Sequence, residues 1–373
     1  MKTFNLYKKP HIYLILILIL IAAPFLIREF YSVDEKTEII STERPVRIGY
    51  FHGGRVNMMY RTLIYDYFDE EGVNVELYTR FLKEDELFKV PETDMETTAM
   101  WVGKAEFGNP FGKMRGTEIV DEIMAGELDG GTIGESSFID SVNNGQPIVV
   151  VAMLGYDASP GKAIIMRADV KINSPDDFRG KTLISRRAGP GDMIFLREFL
   201  EDINLVPNKD LTVIDQVDED DTEKWLKAKK IDGGLYHLTT VRHLVDDGTA
   251  YVYRPMNWMD SALSHAVLVF HKDYIKNNRG EIQKVVDAYV KRIAYEKSLP
   301  DEERDRSWNK GLMMEGEFQG MKIPSYDLPP RIRVDLLEEV QRLLLKYGEI
   351  DKTVDINDFI DSSFVEKAWE KLE

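Results

Sequence analysis

Cysteine is absent from all 373 residues, which excludes disulfide staples, cysteine-ligated zinc, thiol nucleophiles and lipid attachment through cysteine, and leaves the redox compartment open. Histidine is scarce: the six present show no HExxH or similar spacing, so no metal site is expected. Cations are outnumbered, with 48 Lys and Arg against 65 Asp and Glu, a net charge of −17 and a pI near 5.0. This balance argues against nucleic acid as a partner, since binding phosphate backbones calls for concentrated Lys and Arg. It suits keeping an exported body in solution.

What is present is enough for two domains of ordinary size, with 43% hydrophobic residues to fill their cores. The N-terminus reads Lys8, Lys9, an apolar run over residues 12–27, Arg28, and an acidic stretch over residues 34–43. Basic residues before the run and acids after it put the N-terminus inside and the remainder outside. The run is slightly short for a spanning helix, which needs roughly 17–25 residues, and slightly long for a signal-peptide core of roughly 7–15. No clean small-x-small cleavage site follows it, because Ala22 and Ala23 precede Pro24 and Ser32 follows Phe30 and Tyr31. Residues 1–43 therefore read as an uncleaved membrane anchor and linker, with a cleaved signal as the alternative. Either way the body belongs on the extracytoplasmic face.

A unit recurs within that body. In KMRGTEIVDEIMAGELDGGTIG, beginning at Lys113, and KWLKAKKIDGGLY, beginning at Lys224, a helix leads to Asp-Gly-Gly and a short apolar strand. Gly130 and Gly233 are expected to take the left-handed conformation that ends a helix, with Asp129 and Asp232 making the turn. Two such units, each in its own α/β stretch, predict two lobes built alike with a cleft between them. Residues just beyond each strand belong at the sheet rim, where open α/β sheets bind ligands.

The flanking pattern fits. Residues 46–50 (VRIGY) read as a strand running into His52-Gly53-Gly54, followed by a helix from about Val56 through Tyr67 and a second strand over 73–78. The long irregular stretch from Phe81 to Gly116 reads as functional or flexible. Ser136 or Ser137 is expected to N-cap a helix ending near Asn144-Gly145. Ser174-Pro175-Asp176-Asp177 opens a helical turn. A strand over 182–185 then runs into Arg186-Arg187-Ala188-Gly189-Pro190-Gly191-Asp192 and an amphipathic helix. The run 266–270 looks like the crossing back to the first lobe. Two apolar stripes follow, Ile282 to Ile293 and Leu336 to Tyr347, the second stopped by Gly348.

The order GEL-DGG-TIGESS, NGQPIVVVA, SPDDFRGKTLIS, the Gly-rich loop and KIDGGLY resembles the substrate-binding proteins of ABC importers of the nitrate, taurine and aliphatic sulfonate group. Their superfamily includes binding proteins and synthases for thiamine pyrimidine. The tail IDKTVDINDFIDSSFVEKAWEKL is similar to that family's C-terminal segment, so the resemblance covers nearly everything from Val46 to Glu373. It implies an α/β, two-lobed type II periplasmic-binding-protein-like fold, each lobe a mixed sheet flanked by helices, joined by two crossing segments and closing over a small ligand. The lobes are expected at 44–162 and 265–373 (first) and 163–264 (second). Phe178 replaces the usual leucine of the aspartate-leucine-x-glycine-lysine motif. The pyrimidine synthases carry a cysteine-rich motif that this chain lacks, which disfavours synthase activity.

Candidate ligand-binding residues follow from position. Arg186, Arg187, Gly189, Gly191 and Asp192 form a strand–loop–helix junction that aims backbone N–H groups and a positive helix end at the cleft. Arg186 or Arg187 could add a bidentate contact to an anion; the competing reading is two surface arginines beside a turn. A dinucleotide loop does not fit, since the third glycine of GxGxxG would fall at Ile194. His52, Gly53 and Gly54 occupy the equivalent place in the first lobe. Glu135, Ser136 and Ser137 offer donors at a helix start and are no nucleophile elbow, because GxSxG would need glycine where Phe138 stands. Tyr156, Tyr236, His237 and Trp258 fall at strand ends, where aromatics wall a site or simply pack.

These observations lead to an expected non-enzymatic, monomeric, membrane-anchored solute-binding protein with no catalytic residues and no cofactor. Its expected partners are a small organic or anionic ligand, an ABC permease and the permease's ATPase. The alternatives are an enzyme of the same fold acting on a pyrimidine or other cofactor precursor, and a tethered ligand-sensing domain.

Overall fold

The computed structural model describes residues 44–50, 54–80, 86–90, 114–156, 161–186, 190–217, 219–303 and 325–373. The apolar run 12–27 lies outside them; no helix among the described residues is long and apolar enough to cross a membrane. Eleven described strands form two sheets. In chain order these are β1 (Val46–Gly49), β2 (Val75–Arg80), β3 (Leu87–Lys89), β4 (Gly130–Gly134), β5 (Ile148–Tyr156), β6 (Lys162–Arg167), β7 (Thr182–Arg186), β8 (Thr212–Val217), β9 (Gly233–His237), β10 (Ala250–Pro255) and β11 (His265–His271). The first sheet has the order β3-β2-β1-β4-β11-β5 and the second β10-β6-β9-β7-β8.

The α-helices used below are α1 (Asn57–Ile64), α2 (Tyr67–Glu70), α3 (Gly116–Ala125), α4 (Glu135–Asn143), α5 (Pro190–Asp202), α6 (Glu219–Lys227), α7 (Leu238–Asp246), α8 (Lys272–Ser298), α9 (Val334–Lys346) and α10 (Ser363–Glu370). Their apolar faces cover the sheets: on α9, Leu336, Leu337, Val340, Leu343 and Leu344 are buried at helical spacing. Gly348, at φ 73°, ends that helix. The helix read over 56–67 is interrupted. A 3-10 turn over Gly54–Val56 precedes α1, and Asp66 at φ 61° separates α1 from α2, a left-handed conformation that aspartate tolerates better than most side chains.

The two sheets repeat one another. In the first, β2, β1 and β4 run parallel and β11 pairs antiparallel with β4; in the second, β8, β7 and β9 run parallel and β6 pairs antiparallel with β9. The register matches as well, with Ile48 opposite Gly130 and Leu183 opposite Gly233. The repeated Asp-Gly-Gly does something other than end a helix. Gly126 at φ 78° and Lys229 at φ 57° are the left-handed residues, whereas Gly130 and Gly233 open strands.

Those glycines are required by close packing. A Cβ on Gly130 would lie 2.5 Å from the Phe270 ring, and one on Gly233 would lie 2.3 Å from the Ile165 carbonyl oxygen. The aspartates do more than turn the chain. Asp129 Oδ2 accepts the Arg47 N–H at 2.8 Å, and Asp232 Oδ2 accepts the Thr182 N–H at 2.9 Å. Each backbone answers, Asp129 N donating to Arg47 O at 2.9 Å and Asp232 N to Thr182 O at 2.8 Å. Each carboxylate also meets an arginine: Arg44 at 2.7 Å on Asp129 and Arg167 at 3.2 Å on Asp232. One side chain thus pins the start of the neighbouring parallel strand in each lobe.

The described residues, from Arg44 onward, form one compact unit. A single apolar cluster runs through both sheets, from Ile48 and Leu268 in the first to Leu183, Phe195 and Phe199 in the second. Phe178, where leucine was the expected residue, packs edge-on against Phe199 (5.7 Å) and Tyr253 (5.0 Å). A smaller separate cluster of Ile165, Ile184, Leu226, Ile231, Tyr236, Val241 and Leu244 lies under α6 and α7.

Loss of either aspartate clamp leaves a strand N–H without its acceptor and an arginine, the exposed Arg44 or the largely buried Arg167, without its carboxylate. Asp129→Ala and Asp232→Ala should each lower the free energy of unfolding by about 2–3 kcal/mol. Asp176→Ala, on the surface, should change it by less than about 0.5 kcal/mol. Urea denaturation followed by circular dichroism measures all three.

Candidate functional site

The chain crosses between the sheets twice, from β5 to β6 and from β10 to β11. Both crossings end on a polar residue at the mouth of an otherwise buried strand. Lys162 begins β6 ahead of Ala163, Ile164, Ile165 and Met166; Ser264 and His265 begin the return ahead of Ala266 to Phe270. These residues meet. Lys162 Nζ donates to Ser264 Oγ at 2.5 Å and lies 3.2 Å from Asp192 Oδ1 on α5, over the Phe195 ring at 4.3 Å.

From the first lobe, Arg55 NH1 reaches the same serine. It donates to Ser264 Oγ at 3.1 Å, to the His265 carbonyl at 2.7 Å and to Glu135 Oε2 at 2.9 Å. Glu135 Oε2 also accepts the His265 N–H at 3.3 Å. A chain of charges, Glu135–Arg55–Ser264–Lys162–Asp192, therefore runs from the start of α4, through both crossings, to the start of α5. Lys162, Ser264, Asp192 and Glu135 are all buried. Ions this desolvated persist only when paired, and the pairing ties the two lobes at one place.

The helix starts themselves touch. A Cβ placed on Gly191 would fall 2.7 Å from Ser136 Oγ and 3.0 Å from Glu135 Oε1, so glycine at 191 lets the second lobe's helix start approach the first lobe's. Both helices present positive N-terminal ends here, and Glu135 and Asp192 in their first turns offset them. The N-cap of α4 is Gly134 in extended conformation, with no side-chain cap; the strand runs straight into the helix, leaving Ser136 and Ser137 inside its first turn.

The sequence candidates fall in different places. Glu135, Ser136, Gly191 and Asp192 come together at this junction. Ser137 turns inward, its Oγ 2.6 Å from where a Gly116 Cβ would stand. Gly54 opens the 3-10 turn that carries Arg55, and Arg186 ends β7. Tyr156 ends β5 with its hydroxyl donating to Asp327 Oδ2 at 2.7 Å; burial and that carboxylate push the phenol pKa up. Its ring lies 6.3 Å from that of His265. Tyr236 belongs to the second lobe's smaller core cluster, and His237 is the half-buried N-cap of α7, opposite Lys162 across the strand pair. Trp258 packs on Phe199 at 5.1 Å and donates to the Phe195 carbonyl at 3.2 Å. His52, Gly53, Arg187 and Gly189 lie outside the described residues.

Sequence reading missed Arg55, Lys162, Ser264 and His265. For Lys162 and His265 the available signal was a polar residue at the head of a strand whose next residues are apolar; Arg55 carried none. His265 is fully buried, with Nδ1 3.0 Å from the Ala262 carbonyl, which makes Nδ1 the protonated nitrogen; Nε2 has no hydrogen-bond partner. Among the described residues no group of three His, Cys, Asp or Glu could hold a metal ion.

Two mixed sheets of one topology, joined by two crossings with helix starts converging between them, define the two-lobed fold of type II periplasmic binding proteins. Residues 113–303 match the family model described as NMT1/THI5 like. That is just over half of the chain, which belongs to this family. Among solved structures, the periplasmic aliphatic sulphonate binding protein SsuA of Escherichia coli matches with TM-score 0.61 and 13% identity, over 86% of this chain and 93% of that one. The ligand-binding component of an ABC-type import system from Staphylococcus aureus, crystallised with zinc, matches with TM-score 0.62 and 13% identity over 87% and 99%. The desulfurization enzyme DSZB matches with TM-score 0.56 and 14% identity over 88% and 100%. At these identities the likeness is one of fold. No curated protein matches the chain.

His265 ties stability to pH. Burial lowers its pKa below the usual 6.5, so the unfolded chain takes up a proton that the folded protein resists. The stability held by its neutral form is full above about pH 6.5 and is lost as pH falls from there toward the lowered folded pKa. Urea midpoints taken between pH 7.5 and 5 should fall, and His265→Gln should flatten that slope.

Proposed function

We propose that this chain is the extracytoplasmic substrate-binding component of an ABC importer, closing two lobes over a small organic or anionic ligand. The observation that carries this reading is the junction: Glu135 and Ser136 from one lobe face Gly191 and Asp192 from the other, beside the two crossings, where a ligand would touch both lobes at once. Binding at such a junction shifts the equilibrium between open and closed lobes, because contacts to both sides exist only when they are together. The two crossings between the sheets form the hinge.

Membership of the family and the fold shared with a sulphonate-binding protein support the assignment. By the same reading the ligand belongs to the sulfonate, nitrate or pyrimidine-precursor class. Arg186 and Arg187 supply the cationic contact, His52, Gly53, Gly54 and Gly189 the backbone lining, and His237 one wall. The protein is held at the membrane by residues 1–43, works as a monomer, and hands its ligand to a permease driven by an ATPase. The fold shared with a desulfurization enzyme keeps a catalytic reading as the second choice.

The full chain, purified without refolding, should carry a small molecule visible by native mass spectrometry or be stabilised in a thermal-shift panel of alkanesulfonates, nitrate and aminopyrimidines. Arg187→Ala should weaken that binding by about tenfold to a hundredfold, the loss of a charge-assisted contact. A chain that binds nothing in the panel and carries nothing would sink the proposal. Turnover of the retained molecule, abolished by His52→Ala or His237→Ala, would favour the enzyme.

A further inference from the structure

Away from the junction a second set of charges joins the lobes. Helix α9 belongs to the first lobe, where Gln341 accepts from Asn143 of α4 at 3.3 Å. Its C-terminal end meets α5 of the second lobe. Lys346 Nζ lies 2.6 Å from Glu198 Oε1 and 2.5 Å from Glu201 Oε2, and the Tyr347 hydroxyl donates to the same two carboxylates at 2.6 and 2.8 Å. In return Arg197 NH1 donates to the Tyr347 carbonyl at 3.0 Å, and its NH2 lies 3.8 Å from Glu349. Asp215, on β8, sits 3.5 Å from the same NH2.

This seam is chemically unlike the junction. Its charges keep part of their hydration: the side chains of Lys346, Glu198 and Glu201 are 32%, 22% and 60% exposed, whereas Lys162 and Asp192 are 2% and 5% exposed. Parting partly exposed charges costs less desolvation than parting buried ones, so such contacts can break and re-form. They also weaken as salt screens them. Arg197 to Glu201 stand five to nine residues beyond Asp192 on the same helix, about 8–14 Å along its axis. A turn of the second lobe by about 15° about the crossings moves that part of α5 by about 3 Å, which takes contacts of this length out of hydrogen-bond range.

We propose that the α5–α9 seam is a salt-sensitive latch that holds the two lobes together and sets their open-to-closed ratio. The inference rests on the reading that the lobes move, and adds a control outside the ligand site. A ligand that needs the closed form has its apparent Kd equal to the intrinsic Kd divided by the closed fraction, so the latch tunes affinity without touching ligand.

The absence of cysteine makes the test direct. Lys209→Cys on the second lobe and Lys276→Cys on the first, both exposed, take spin labels in the full chain, and the distance between them is measured with no ligand added. At low salt the distribution should be narrow and short; Lys346→Glu, or 1 M NaCl, should lengthen it, raising the open fraction by about twofold to fivefold. Adding Glu198→Lys and Glu201→Lys to Lys346→Glu should restore the short distance. Tyr347→Phe, which keeps the ring and the charges, should open the lobes less than Lys346→Glu. Circular dichroism establishes that each variant is folded. Distances unchanged by Lys346→Glu, or a charge-swapped triple variant that stays open, would overturn the latch. Because the readout uses no ligand, failure here leaves the transport proposal standing, and failure of that proposal leaves the latch measurable.

Discussion

Charges taken out of water must be paired, and in this protein that constraint acts where the two lobes join. Lys162 and Asp192 are almost wholly buried, and charges so placed are costly unless paired. Their pairing fixes the start of α5 against the first crossing strand. Ser264 then links that pair to Arg55 and Glu135, and the start of α4 is held in turn. The geometry of the junction follows from satisfying these groups: side chains from both lobes and both crossings converge because each is another's partner.

Much of the architecture was readable because its signals are local. The doubled Asp-Gly-Gly unit, the turn opened by Ser174 and Pro175, and the apolar stripes of α8 and α9 each lie within a short stretch and obey a period or a capping rule. The two-sheet fold and the family were legible in the order of those stretches. What the glycines do was not. Gly130 and Gly233 read as helix terminators, but their conformations are those of strands, and the need for glycine comes from Phe270 and from the Ile165 carbonyl, which no local rule brings near. The aspartates were underrated for the same reason, since the strand ends they clamp lie 82 and 50 residues away.

The candidate site was half legible. Glu135, Ser136, Gly191 and Asp192 stand at helix starts beyond strand ends, a position that topology alone marks. Arg55 and Lys162 carry no such mark, and the serine they share is 209 residues from one and 102 from the other. Their role depends on both crossings arriving at one point. Tyr156 and Trp258 show the opposite case: each fell at a strand end as read, and the hydrogen bonds to Asp327 and to the Phe195 carbonyl give both a structural partner.

The apolar interior is divided unequally. One cluster threads both sheets, while the outer layer of the second sheet, under α6 and α7, has its own small set of buried side chains. Helices that share the large cluster can be exposed only by disrupting it, but α6 and α7 can lift away at the expense of a smaller set of apolar contacts. Their backbone amides should then exchange with solvent deuterium by sub-global opening, well ahead of those in β4, β5 and β11. The protein would thus shed the back of its second lobe first, leaving intact the face on which the two lobes meet.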